Sequence, residues 1–227
     1  MNFKKPVSRM ETGLLLIALV TAPLMGFTSP QPAAPMKGAS TQKLPPPGGY
    51  KIDPAHSFAF FGARHHVVGL VRGRFDKVTG TVISAKDPAA CALDVTIDVA
   101  SINTQIKQRD EDLLGPAYFD VKSFPTMTYK GQGLRRISGN EWIMDGTLTM
   151  HGVSRPVPLA FTYKGAFADT PPNEPMRVAF HGTAAVKRAD FNMGARDNLD
   201  ELGMLTTPDV AIEIDVEADA AGSAKKD

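Results

Sequence analysis

Beyond Tyr50 the apolar residues of this chain recur at every second position, a period that commits the backbone to paired β-strands with one buried face each. The clearest run places Leu93, Val95, Ile97 and Val99 on one face and Asp94, Thr96 and Asp98 on the other. The last run sets Val210, Ile212, Ile214 and Val216 against Ala211, Glu213, Asp215 and Glu217. Near the start, Ser57, Ala59, Phe61, Ala63 and His65 share a face, followed by Val71, Gly73 and Phe75. The parity then slips, because Val78 and Val82 are out of phase with Phe75, so a bulge is expected near Asp76-Lys77. Further alternating stretches occupy 126–133, 141–149, 156–166 and 177–187.

Counting 70–85 as one long bent strand gives an all-β domain of eight antiparallel strands. Strands with a single apolar face remove their exposed edges by closing into a barrel, although a two-sheet sandwich satisfies the same alternation. One segment departs from the pattern. A short helical insertion is expected over Gln105 to Leu114, capped by Asn103 or Thr104 and stopped by Gly115 and Pro116.

The flanks have a different composition. Lys4, Lys5 and Arg9 precede an apolar run from Leu14 to Phe27, the order of an export signal, and the run is too short to span a bilayer. Residues 28–49 are Pro-rich and read as an extended linker, 50–218 as the folded domain and 219–227 as a disordered tail. The product is expected in the periplasm or outside the cell.

A formal net charge of +1 provides no field for nucleic acid, and Cys91, the single cysteine, excludes an intrachain disulfide and a CxxC pair. The histidines His56, His65, His66, His151 and His181 have no metal-ligand spacing, so neither a metal nor another cofactor is implied. Ser57, His56 and an aspartate could form a triad on paper, but a GxSxG elbow is lacking, and a hydrogen-bonded His56 at the strand entrance is the simpler expectation. Ala59, Ala63, Gly73 and Ala184 are small at inward positions, which favours a barrel that holds a ligand over one filled by side chains. The expected lining is Ala59, Phe61, Ala63, His65, Val71, Phe75, Val95, Ile97, Met127, Tyr129, Trp142 and Phe161, with Arg109 on the helix at one end.

Several motifs also carry a resemblance. Ile52-Asp53-Pro54-Ala55-His56-Ser57, Arg64-His65 and Val71-Arg72-Gly73-Arg74-Phe75 resemble the opening of the YceI family of lipid- or polyisoprenoid-binding proteins. Ser101-Ile102-Asn103-Thr104 with Arg109-Asp110, Tyr118-Phe119-Asp120-Val121 with Phe124-Pro125-Thr126, the stretch Gly146 to Val153 with Pro156-Val157, and Arg188-Ala189-Asp190-Phe191 follow in the family's order. The resemblance implies a lipocalin-like barrel, commonly exported to the bacterial periplasm, that binds a long isoprenoid or other amphiphile in its lumen. Two positions depart from it: Asp112 stands where family members often carry histidine, and Asn192 where they often carry glycine.

Three functional classes follow. The leading one is non-catalytic binding, storage or transport of a polyisoprenoid, isoprenoid quinone or fatty-acyl lipid. The alternatives are an enzyme acting on such a lipid, with His65 or His56 beside an acid, and a structural protein with a filled barrel. Transient membrane contact and both monomeric and homodimeric states stay open.

Overall fold

The structure is a computed structural model that describes residues 44–65, 68–168, 174–193 and 209–222. The expected export signal, most of the Pro-rich linker, His66 and the end of the expected tail lie outside the described residues. The strands are β1 Gly48–Ile52, β2 Phe58–His65, β3 Gly69–Phe75, β4 Val78–Ser84, β5 Ala92–Asp98, β6 Ile102–Asn103, β7 Thr126–Ser138, β8 Glu141–Met150, β9 Val153–Phe167, β10 Arg177–Lys187 and β11 Asp209–Ala220, and the helix α1 is Lys107–Leu114. All pairings are antiparallel, and the sheet closes through β1 and β11. Eleven segments make eight staves because β1 continues as β2, β3 as β4 and β5 as β6. The domain is an eight-stranded antiparallel barrel.

Each break has a local cause. Phe75 and Val78 are both buried, so the two residues between them must leave the ladder to reset the phase. Their backbone donors are then satisfied from outside it, since the Asp76 N–H donates to the Ser101 carbonyl (3.1 Å) and the Lys77 N–H to the Ser101 hydroxyl (3.0 Å). At the other break β11 changes partner, pairing with β2 over Val210–Asp215 and with β1 over Ala218–Ala220. The gap falls on Glu217. Its carbonyl accepts from the Asp53 N–H (2.9 Å), and the Ser57 hydroxyl bonds both its N–H and its carbonyl at 3.1 Å. Ser57 is fully buried and spends its hydroxyl on this splice, so it is a strut and not a nucleophile.

The helix begins later than expected, and neither Asn103 nor Thr104 caps it. Asn103 Oδ1 accepts from the Gln105 N–H (3.1 Å), a turn with Gln105 at φ 66°, which postpones helical geometry to Lys107. Ile106 takes the cap position without a side-chain bond, while the Asp110 carboxylate reaches back to the N–H and hydroxyl of Thr104.

At the end that carries the Gly139-Asn140 hairpin turn, the side of the interior formed by β1, β9, β10 and β11 is solid: Tyr50, Ile52, Tyr163, Val178 and Ala218 are at most 2% exposed. The sheet reaches two residues past the expected 50–218 at each side, because Gly48 and Gly49 pair with Ser84 and Ile83 and Tyr50 pairs with Ala220. Pro45 is buried beside this end, its carbonyl accepting from the Ser84 hydroxyl at 2.8 Å.

Candidate functional site

The remaining lumen is a cavity of about 470 Å³. Inward positions of every stave contribute, and small side chains leave the space: Ala59 and Ala63 from β2 and Ala184 from β10. Of the expected lining, Ala59, Phe61, Ala63, His65, Val71, Phe75, Val95, Ile97, Arg109, Met127, Tyr129 and Phe161 all face it. Trp142 does not. It has inward parity and is buried, but sits one residue past the start of β8, between Arg136 on β7 and Phe161 on β9, with the Arg136 guanidinium carbon 6.0 Å from its ring. Gly73 also departs from expectation, because the space a Cβ would take there is filled by the Phe61 ring, 2.4 Å from that point, so it accommodates a side chain and not a ligand.

Tyr129 illustrates how the wall is fixed. A Cβ on Gly146 would lie 2.4 Å from its ring, so only glycine lets the ring lie flat across β8. The hydroxyl thereby reaches two backbone carbonyls, Met144 (3.2 Å) and Val157 (3.0 Å). Burial pushes its ionisation up to about 12, and it remains a neutral donor at any ordinary pH.

Polar groups gather at one end. His65 and Asp112 line the cavity and are exposed, so the lumen meets solvent there, beside Arg109, Arg188 and the buried Thr104. Arg109 bridges back to the barrel, its Nε donating to Thr104 Oγ1 (2.8 Å) and its Nη2 to the Thr104 carbonyl (2.7 Å). Asp112 accepts from Gln108 Nε2 at 3.3 Å, and Asn192 adopts the left-handed conformation that glycine would take, at φ 57°.

Outside the lumen, Asp53, His56 and Glu217 offer ligand atoms within 4.8 Å of one another. Arg177 pairs with Asp53 and Glu217 (both 3.3 Å) and with Asp219 (2.8 Å), so a guanidinium already supplies a cation to these carboxylates. His56 Nδ1 lies 2.7 Å from Asp53 Oδ2, the hydrogen-bonded arrangement expected at the strand entrance. Partial burial pushes the Asp53 carboxyl up, but bonds from His56 and the Ala55 N–H and the charges of His56 and Arg177 bring it below its usual value. The same bond raises His56 above its ordinary value.

Lining residues missing from the sequence-based list include Leu148 and Met150 of β8, Val157 and Leu159 of β9, Val82, Ser84, Leu93 and Leu134 near the hairpin end, and the β11 face of Val210, Ile212, Ile214 and Val216. Alternation places the last four on an inward face, but which inward residues adjoin space and which adjoin side chains depends on their height in the barrel. Tyr118, Phe119 and Met193 come from irregular segments that have no period to read.

A model described as the YceI-like domain matches residues 50–218, nearly the whole barrel. The chain belongs to the YceI-like family. It is 31% identical over 147 residues to a YceI protein of Salmonella newport, covering 63% of this chain and 75% of that one. Its fold is similar to that of BcnA from Burkholderia cenocepacia, with a TM-score of 0.62, 24% identity and coverage of 73% and 98%. It is also similar to a polyisoprenoid binding domain from Saccharophagus degradans implicated in plant cell wall breakdown, with a TM-score of 0.59, 18% identity and coverage of 75% and 98%. The YceI-like barrel accordingly accounts for the fold, and the motifs from Ile52 to Phe191 lie within the matched range.

Proposed function

We propose that this barrel binds one long-chain amphiphile, a polyisoprenoid, an isoprenoid quinone or a fatty-acyl lipid, and carries or stores it without altering it. The supporting observation is the shape and chemistry of the lumen together. Apolar side chains from all eight staves surround about 470 Å³, within the range of a small-molecule site, and the charged groups of the lining, His65, Arg109, Asp112 and Arg188, gather at one end. An apolar tail gains roughly 0.8 kcal/mol for each methylene it buries, so the lumen supplies affinity and the polar end orients the head group. In this reading His65 and Arg109 meet that head, which their position in the lining and the bonds that fix Arg109 support. The binding name of the Saccharophagus domain, which shares the fold, agrees with this assignment.

Export supports a carrier role, since a lipid must be shielded from water wherever it crosses an aqueous compartment, and the basic-then-apolar start of the chain has the order of an export signal. Intact mass of periplasmic protein tests that part, with loss of residues up to at least Phe27 expected. The ligand is tested by mass spectrometry of organic extracts from protein purified without detergent, where a long-chain species at near-stoichiometric yield is expected. Incubation with prenyl phosphates, quinones and acyl amides should leave them unchanged. Turnover that disappears in His65→Ala while binding survives would establish an enzyme instead.

A further inference from the structure

The β2 and β3 strands, joined through residues 66–68, have two differently used faces. Inward, Ala63, His65 and Val71 line the cavity where it meets solvent. Outward, Arg64 stands opposite Leu70 and Arg72 opposite Gly62. Val68 is 85% exposed and Leu70 48%, and both arginines are exposed. Among the described residues, Arg64 and Arg72 have no hydrogen-bond or ion-pair partner, whereas Arg74 pairs with Asp76, Arg135 with Asp145 and Arg177 with three carboxylates. Between Phe58 and Phe75 the sequence contains no acidic residue. Two uncommitted guanidiniums beside two exposed aliphatic side chains therefore occupy the rim of the lipid cavity.

We propose that this β2–β3 rim docks on an anionic lipid bilayer. Arg64 and Arg72 would bind lipid phosphates, for which the guanidinium fork is suited, and Val68 and Leu70 would enter the interfacial layer. The inner face of the same strands is cavity wall, so docking places the cavity opening against the source of the lipid, and a tail passes from bilayer to lumen without crossing bulk water. The proposal rests on the lipid-carrier function above, but docking and lumen filling are measured separately.

The test uses the full chain carrying Val68→Cys, labelled with an environment-sensitive fluorophore; Cys91 is only 3% exposed and leaves the new thiol as the reactive one. Vesicles of neutral phosphatidylcholine are compared with vesicles containing one quarter phosphatidylglycerol. A blue shift is expected with the anionic vesicles and not the neutral ones. It should weaken at high salt and require about thirty-fold more lipid in the Arg64→Gln/Arg72→Gln variant, since each guanidinium near the surface contributes about five-fold. The same label on Ile137→Cys, which is 56% exposed at the opposite end, should not respond. Equal shifts with neutral and anionic vesicles, an unchanged response in the double variant, or an equal response at Ile137 would each overturn the proposal. Uptake of a soluble fluorescent fatty acid by the same double variant reports the lumen alone. Retained uptake with lost docking is the expected pair, while lost uptake in wild type would refute the carrier function and leave the docking result standing on its own.

Discussion

Replacing Ala63 by tryptophan fills the lumen just inside its polar end. Ala63 is half-buried on β2, paired with Val71 and Val210, and its methyl lines the cavity. An indole has the footprint of roughly five methylenes, and at about 0.8 kcal/mol each their exclusion removes about 4 kcal/mol of tail binding. That is nearly a thousandfold in Kd. The same substitution in a packed core costs about 1–3 kcal/mol through overpacking. For a domain of this size, each of those kcal/mol lowers Tm by about 2–4 °C. The expected result is a melting curve within a few degrees of wild type together with loss of binding, measured by displacement of a fluorescent acyl or prenyl probe and by circular dichroism. Wild-type affinity in a folded variant would mean that the tail does not pass Ala63. A collapse of Tm would mean that the lumen is already filled.

Gly146→Ala should displace the Tyr129 ring, breaking its bonds to Met144 and Val157, and lower stability by about 1–3 kcal/mol in denaturant titrations, with altered probe affinity because that ring is cavity wall. Ser57→Ala removes the hydroxyl that splices β11 between β1 and β2, so a loss of about 1–3 kcal/mol is expected with binding unchanged; a loss of binding at full stability would contradict the strut role. Arg109→Ala should weaken binding moderately and shift head-group preference, read by competition between lipids with equal tails and different heads. The Asp53–His56 pair makes a signed pH prediction. His56 is raised on folding, so its contribution is complete below about pH 6.5 and is lost as pH rises through its higher folded value. Asp53 is lowered, so its contribution holds above about pH 4 and fades as pH falls further. Melting of wild type and His56→Ala should therefore differ near pH 5.5 and converge near pH 8; an equal difference at both would remove the ion pair from the account.

The strand content, the number of staves and the slip at Asp76-Lys77 were legible in the order of residues because side chains on a strand alternate strictly between faces, and a phase change cannot be hidden. Inward parity likewise marked Ala59, Phe61, Ala63 and Ile97 as lining. Height along the barrel axis was not legible. Tyr163 shares inward parity with Phe161 on β9, yet it is packed among Tyr50 and Val178 while Phe161 faces the cavity, because parity says which side of the sheet a residue is on and nothing about what lies across from it. The helix start moved to Lys107 for a related reason: Gln105 is turned by Asn103, and Thr104 is bonded by Asp110 and Arg109, contacts that depend on where the chain leaves β6. Closure itself was undecided by the alternation. It is made by Tyr50 meeting Ala220, residues 170 positions apart in the chain, and only the tertiary structure brings such distant edges together so that an otherwise exposed pair of strands satisfies its backbone hydrogen bonds.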